Sequence, residues 1–284
     1  MPDLTYVQTA SYSNAGSLLM TAGPGSFPDA DGEFLVNDVL GGGASGYVGT
    51  VDIGGIIMPI TFVTLFGANQ YLIYNPGPGT VTFPASLPTI TPQTYSFCFA
   101  QGTQISTPCG SRAVEDLKIG DPITTQAGDQ IAVKWIGRQT VFPAFLPAAR
   151  LGLIRIDAGA LGRSCPDQPL TVTADHGLLI GGVICHAGAL VNGTSIRRVP
   201  PAEMGESYTV YHIETEAHEI IVANGASAET FIDNVSRQAF DNFAEFDALY
   251  GDVPEMQELP YPRAMSARQV PGRIRARLCC ARSA

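Results

Sequence analysis

The sequence predicts an all-β protein: a small β-rich unit, a second and larger β unit, and a short helical tail. Three observations carry this. Residues 1–93 are rich in Gly, Pro, Thr and aromatics, with short β-like runs between turn residues. From about residue 94 the runs change to alternating apolar and polar positions with little helical periodicity. After Ile232 the spacing lengthens to that of a helix. The expected units are therefore 1–93, 94–232 and 233–284.

In the first unit, "GYVGTVDI", "QYLIYNPG" and "GTVTFPA" are the strand candidates. "IGGIIMPITFVTLF" is too short and too broken by Gly and Pro to span a membrane, so it reads as buried strands. "PASLPTITPQT" places three prolines before the second unit and reads as a linker. In the second unit "QIAVKWIGR" alternates, with "AGD" before it as a hairpin turn. "LTVTADHGLLI" and "YTVYHIETEAHEIIVANG" are further strands, the latter read as a hairpin. In the third, "DNVSRQAFDNFAEFDALYGD" spaces Phe240, Phe243, Phe246 and Tyr250 as a helix face. Asp233 or Asn234 would cap it, and Gly251 with Pro254 would end it.

Of the 284 residues 45% are hydrophobic and 15% charged, enough apolar material for a packed core. The net charge of −10 argues against a nucleic-acid groove. Lysine and arginine are absent before Arg112, and six acids lie between Asp3 and Asp52. Beyond the last acid, Glu258, come Arg263, Arg268, Arg273, Arg275, Arg277 and Arg282, which read as a solvated basic tail. "MPDLTYVQTA" shows no signal-peptide pattern, so the expected location is the cytoplasm or export by a leaderless route. No transmembrane segment is expected.

Six cysteines fall without a CxxC pair, giving neither a disulfide framework nor zinc spacing. "DADGEFLVND" carries Asp29, Asp31 and Asp38 but lacks the spacing and terminal Glu of a calcium loop. "GGGASG" is not followed by GK[ST] and is no phosphate loop. Neither metal nor cofactor is expected.

The remaining signal begins at Cys98, the head of the second unit. Cys98 is followed by a GT turn, then by "VEDLKIGD", then by Thr173-x-x-His176, then by Val210-Tyr211 with His218 before "ANG". In this order the motifs resemble the Hint family, the fold shared by hedgehog autoprocessing domains and inteins, and within it the bacterial Hint-domain proteins. The likeness covers about Cys98 to Phe231. It implies a Hint-type β fold and an attack by the Cys98 thiol on the carbonyl of Phe97, which converts the amide to a thioester. It implies that Thr173 polarises or twists that amide, that His176 hydrogen-bonds and protonates its nitrogen, and that His218 assists proton transfer. Imidazole suits such a task because its pKa lies near working pH. The substrate would be the chain's own N-terminal segment.

Two departures from the family pattern matter. His212 stands where the family often has Asp, and His186 matches no motif. Splicing members end in His-Asn, whose asparagine cyclises, whereas Glu229 and Thr230 stand here. Neither can form a succinimide, so splicing and C-terminal cleavage are not expected. What remains is hydrolysis, or transfer of residues 1–97 to an outside nucleophile. The alternative is a non-catalytic Hint scaffold displaying a β-rich binding domain.

Overall fold

The computed structural model describes residues 4–27, 45–65, 68–92, 97–143, 152–162, 164–232 and 236–280. The first unit is a six-stranded antiparallel sheet. Its order is Leu18–Ala22, Gln8–Ser13, Ala68–Asn75, Ile56–Leu65, Ser45–Ile53 and Thr91–Pro92. The central hairpin turns at Gly54-Gly55, both in the left-handed region at φ +66° and +85°, where a side chain would be strained. Tyr12, Met58, Ile60 and Ile73 are fully covered and form its core. "IGGIIMPITFVTLF" thus forms buried strand, as expected. "GTVTFPA" is not a strand, although Phe83 still reaches the core. The proline-marked segment folds back, with Thr91–Pro92 pairing Gly49 and Thr50. Asp29, Asp31 and Asp38 lie outside the described residues, as does most of "GGGASG".

The second unit has two larger sheets. One is ordered Trp135–Val141, Tyr208–Glu214, Phe99–Ala100, Leu170–Thr173, Leu153–Ile156 and Ile196–Arg198. The other is ordered Gly110–Ala113, Gln104–Thr107, Ile220–Ala223, Ala226–Glu229, Gly177–Ile180, Val183–His186 and Arg263–Ala264. The "AGD" turn is present between Pro122–Thr124 and Gln130–Ala132. "QIAVKWIGR" divides into the second of these strands and the long strand from Trp135. "YTVYHIETEAHEIIVANG" is not a hairpin. Tyr208–Glu214 pairs with Trp135–Val141 in the first sheet, and Ile220–Ala223 pairs with Ala226–Glu229 in the second. The chain passes from sheet to sheet at residues 215–219, and the true hairpin turns at Asn224-Gly225.

The tail corrects two expectations. The helix is Phe243–Tyr250, and the expected caps Asp233 and Asn234 lie outside the described residues. Arg237–Ala239 is a separate 3₁₀ turn, with the Ser236 hydroxyl accepting from the Gln238 N–H. The reason is packing. Arg237 pairs with the fully buried Glu214 at 2.8 Å, and Phe240 is drawn into the core against Gly137. The helix ends at Gly251 as expected, at φ +57° and with its N–H on the Asp247 carbonyl. The basic segment is solvated only in part: Arg268, Arg273 and Arg275 are exposed, while its apolar residues and Arg263 dock. Arg263–Ala264 adds a parallel strand beside Val183–His186. Val270, Ile274 and Leu278, the last two on the helix Gly272–Cys280, are buried in the main core. No helix among the described residues is long and apolar enough to cross a membrane.

Gly137 gives a direct test of this packing. A Cβ there would lie 2.7 Å from Cδ1 of Phe240. Gly137→Ala is expected to lower unfolding stability by about 1–3 kcal/mol in urea titration. An unchanged midpoint would mean that Phe240 does not seat there.

Candidate active site

The site follows from a strand of two residues. Phe99–Ala100 lies between Leu170–Thr173 and Tyr208–Glu214 in the first sheet, with Phe99 opposite both Val172 and Tyr211. Cys98, one residue earlier, is thereby held beside Thr173 on one flank and His212 on the other. The Cys98 N–H donates to Thr173 Oγ1 at 2.9 Å, and the Thr173 N–H returns a bond to the Cys98 carbonyl at 2.9 Å. Cys98 is wholly covered.

His176 follows in the turn that leaves this strand. Its N–H donates to the Thr173 carbonyl at 3.1 Å, and its carbonyl accepts from the Ala187 N–H at 2.9 Å. These two bonds fix the backbone between the sheets and aim the ring at Phe99, 4.2 Å between centroids. His212 Nδ1 lies 4.0 Å from Cys98 Sγ, the outer range of a hydrogen bond to sulfur. Its ring is packed by Phe231 at 4.9 Å and Phe240 at 5.6 Å.

Both rings are fully buried. Burial lowers the pKa of His176 from 6.5 to about 4, against the opposing pull of Glu229 and of the Phe97 backbone. Burial also lowers His212 to about 3, with the neighbouring His176 acting in the same direction. Both are neutral near pH 7. Both nitrogens of His176, and Nε2 of His212, lack an aligned hydrogen-bond partner. Buried polar atoms of this kind are uncommon, and a catalytic role is one physical reason for them.

The family resemblance implied that His176 contacts the junction amide nitrogen. Here Thr173 holds that N–H, and His176 faces the Phe97 backbone instead. The physical reason is that an amide nitrogen donates its N–H while its lone pair is delocalised. It needs an acceptor such as a hydroxyl now, and a proton only once the C–N bond opens.

His218 is placed differently. Its Nε2 lies 3.2 Å from Glu229 Oε2, and its Nδ1 accepts from the Leu259 N–H at 3.2 Å. Glu229 is fully buried and gripped by Arg263, with contacts of 3.2 and 2.7 Å. Burial alone would raise its pKa, but the bonds from His218 and Arg263 outweigh it and hold the carboxyl at about 2. Thr230 Oγ1 accepts from the Glu219 N–H and from Thr215 Oγ1. His186 is buried with Nδ1 3.6 Å from Asp175 Oδ1, and its ring meets the Phe97 ring edge-on at 5.8 Å. His212 is the residue that sequence reasoning left outside the candidate set. Its signal was there, since it directly follows Val210-Tyr211 at the position that departs from the family pattern. No group of three or more metal-ligating side chains with metal-site geometry occurs among the described residues.

Several solved structures are similar. The MchDnaB-1 intein is 16% identical over 47% of this chain and 99% of its own, with a TM-score of 0.34. The bacterial intein-like domain from Clostridium thermocellum is 14% identical over 48% and 100%, with a TM-score of 0.36. The DnaB intein from Synechocystis sp. PCC 6803 is 15% identical over 48% and 99%, with a TM-score of 0.31. No curated protein matches. The family described as the Hint domain matches residues 97–235, starting one residue ahead of Cys98 and closing after the Glu229-Thr230 pair. On that match residues 97–235 are a Hint domain.

Proposed function

We propose that this protein cleaves itself by an N-to-S acyl shift at Phe97–Cys98. The carrying observation is the Cys98 sulfur lying 4.0 Å from a neutral, buried imidazole while the junction N–H rests on Thr173. His212, a weak base at its depressed pKa, accepts the thiol proton only as sulfur bonds to the Phe97 carbonyl carbon. The C–N bond then breaks, and the proton passes through His176 to the Cys98 nitrogen. The step is an isomerisation, so it consumes no co-reactant and returns both imidazoles to neutral. A thiol is largely protonated at neutral pH, so a nearby base matters. His218 enters as a positioning residue. It holds Glu229, and the Glu229 charge favours protonation of His176.

The second step is hydrolysis of the thioester or its transfer to an outside nucleophile. Splicing is not proposed, because Glu229 and Thr230 replace the residues that would release a downstream segment, and both are tied into the core.

The test is incubation of the full-length protein with dithiothreitol, weighed at intervals. The expected result is a fragment ending at Phe97, absent with Cys98→Ala. No fragment at any thiol concentration would defeat the proposal. The second reading, a non-catalytic scaffold, draws on the complete burial of Cys98, which bars an outside nucleophile from the ground state. A chain that stays intact in thiol at every pH would favour it.

A further inference from the structure

We infer that the N-terminal unit and the Hint domain form a stable interface that outlasts the bond between them, so that self-cleavage yields a nicked, still assembled protein. This rests on the acyl-shift reading for its setting, though its test does not.

The observation is that one apolar cluster spans the junction. Tyr74, from the first sheet, is 2% exposed and shares a cluster with Cys98, Trp135, Phe231, Phe240 and Phe246. Tyr6, Ile57 and Leu72 pack against the same cluster from the N-terminal side. Tyr6 also meets Tyr74 at 5.6 Å between ring centroids. Thr50, itself buried, donates to Asp241 Oδ1 at 3.0 Å, while Oδ2 accepts from the Thr140 N–H at 2.6 Å. One carboxylate thus joins the two units. The strand Thr91–Pro92 lies against the turn Arg237–Ala239. Phe97 itself is seated on His186.

None of these contacts is the peptide bond at 97–98. Breaking that bond removes a tether and leaves the buried aromatic and the charge-assisted hydrogen bond in place. A tether of this kind supplies an effective concentration near millimolar. Interfaces centred on buried aromatics and a half-buried, hydrogen-bonded carboxylate hold below that range. The Hint domain's partner is therefore its own N-terminal product, and release of residues 1–97 is a separate, slower event than cleavage. A cleft of 610 Å³ between the units, lined by Asp52, Ile90, Phe240, Asp241 and Phe243, marks where this interface is open to solvent.

The experiment uses full-length protein with a protease recognition sequence inserted between Thr94 and Tyr95. The chain is cut after folding and analysed by native mass spectrometry and gel filtration at micromolar concentration. The expected result is a single complex with the mass of both pieces. Thr50→Val should raise its dissociation constant about tenfold or more, and Tyr74→Ala should raise it further. Separation of two folded pieces would overturn the inference. So would a nicked complex whose dissociation is unchanged by Thr50→Val. Because the cut is made by an added protease, the result stands whether or not Cys98 performs an acyl shift. Loss of thiol-induced cleavage with an intact nicked complex would count against the chemistry alone.

Discussion

Replacing His212 with phenylalanine is expected to slow thiol-induced cleavage of the Phe97–Cys98 bond by about 10²–10⁴-fold. Phenylalanine keeps an aromatic ring against Phe231 and Phe240 while removing the nitrogen 4.0 Å from Cys98 Sγ. The melting temperature should therefore change little while the rate falls. A rate that falls only in proportion to the folded fraction would assign His212 to packing. The pH profile of the unmodified protein adds a readout that packing would not move. An imidazole with an ordinary pKa of 6.5 would lose half its base form at that pH. With His176 held at about 4 and His212 at about 3, the proton-accepting step should stay flat from pH 7 to about 5. The same burial acts on stability. Between pH 6.5 and about 4 the unfolded chain takes up protons that the folded rings refuse, so stability falls as pH falls through that window. Thermal melts across that range check the sign.

Replacing Arg263 with alanine is expected to cost about 3–5 kcal/mol of unfolding free energy, because it leaves the buried Glu229 carboxylate poorly compensated. Glu229 is fully covered, and Arg263 makes two contacts with it at 3.2 and 2.7 Å. Its depressed pKa means that this stabilisation is present above about pH 4.5 and is lost as pH falls toward about 2. Arg263→Ala should flatten that acid dependence as well as lower the plateau. The double change Arg263→Met with Glu229→Gln removes the uncompensated charge and should recover much of the loss. Equal stability of Arg263→Ala and the unmodified protein in urea would show that the basic segment is not clamped in this way.

The segment carrying Arg263 also shows where sequence reasoning stops. Six arginines after the last acid read as solvated because their charge is local information. Three of them have partners far away in the chain. Arg263 reaches Glu229, Arg273 reaches the Gly181 carbonyl, and Arg277 lies against Gly162. A two-residue parallel strand such as Arg263–Ala264 has too little length to show a period. The helix start was misplaced for a similar reason. Asp233 and Asn234 are good caps in isolation, but Arg237 and Phe240 answer to Glu214 and Gly137, about a hundred positions away in the latter case. Features set by local chemistry were legible. The Gly54-Gly55 turn, the helix stop at Gly251, and the all-β alternation belong to this class. In the site, Thr173 and His176 were readable because three residues on one turn keep them together. His212 and Cys98 meet only because Phe99–Ala100 inserts between two distant strands, which no local pattern announces.

The account turns on whether the Phe97 acyl group moves to the Cys98 sulfur. Hydroxylamine attacks a thioester and leaves an ordinary amide largely untouched, so its product reports where that acyl group was. The measurement is the intact mass of the N-terminal fragment after hydroxylamine treatment at neutral pH. The account predicts residues 1–97 with a hydroxamate on Phe97, formed by the unmodified protein and not by Cys98→Ala. Absence of that hydroxamate, or its persistence in Cys98→Ala, would contradict it; fragments ending at Asn192 or Asn224 would report only hydroxylamine's own cleavage of the Asn-Gly bonds.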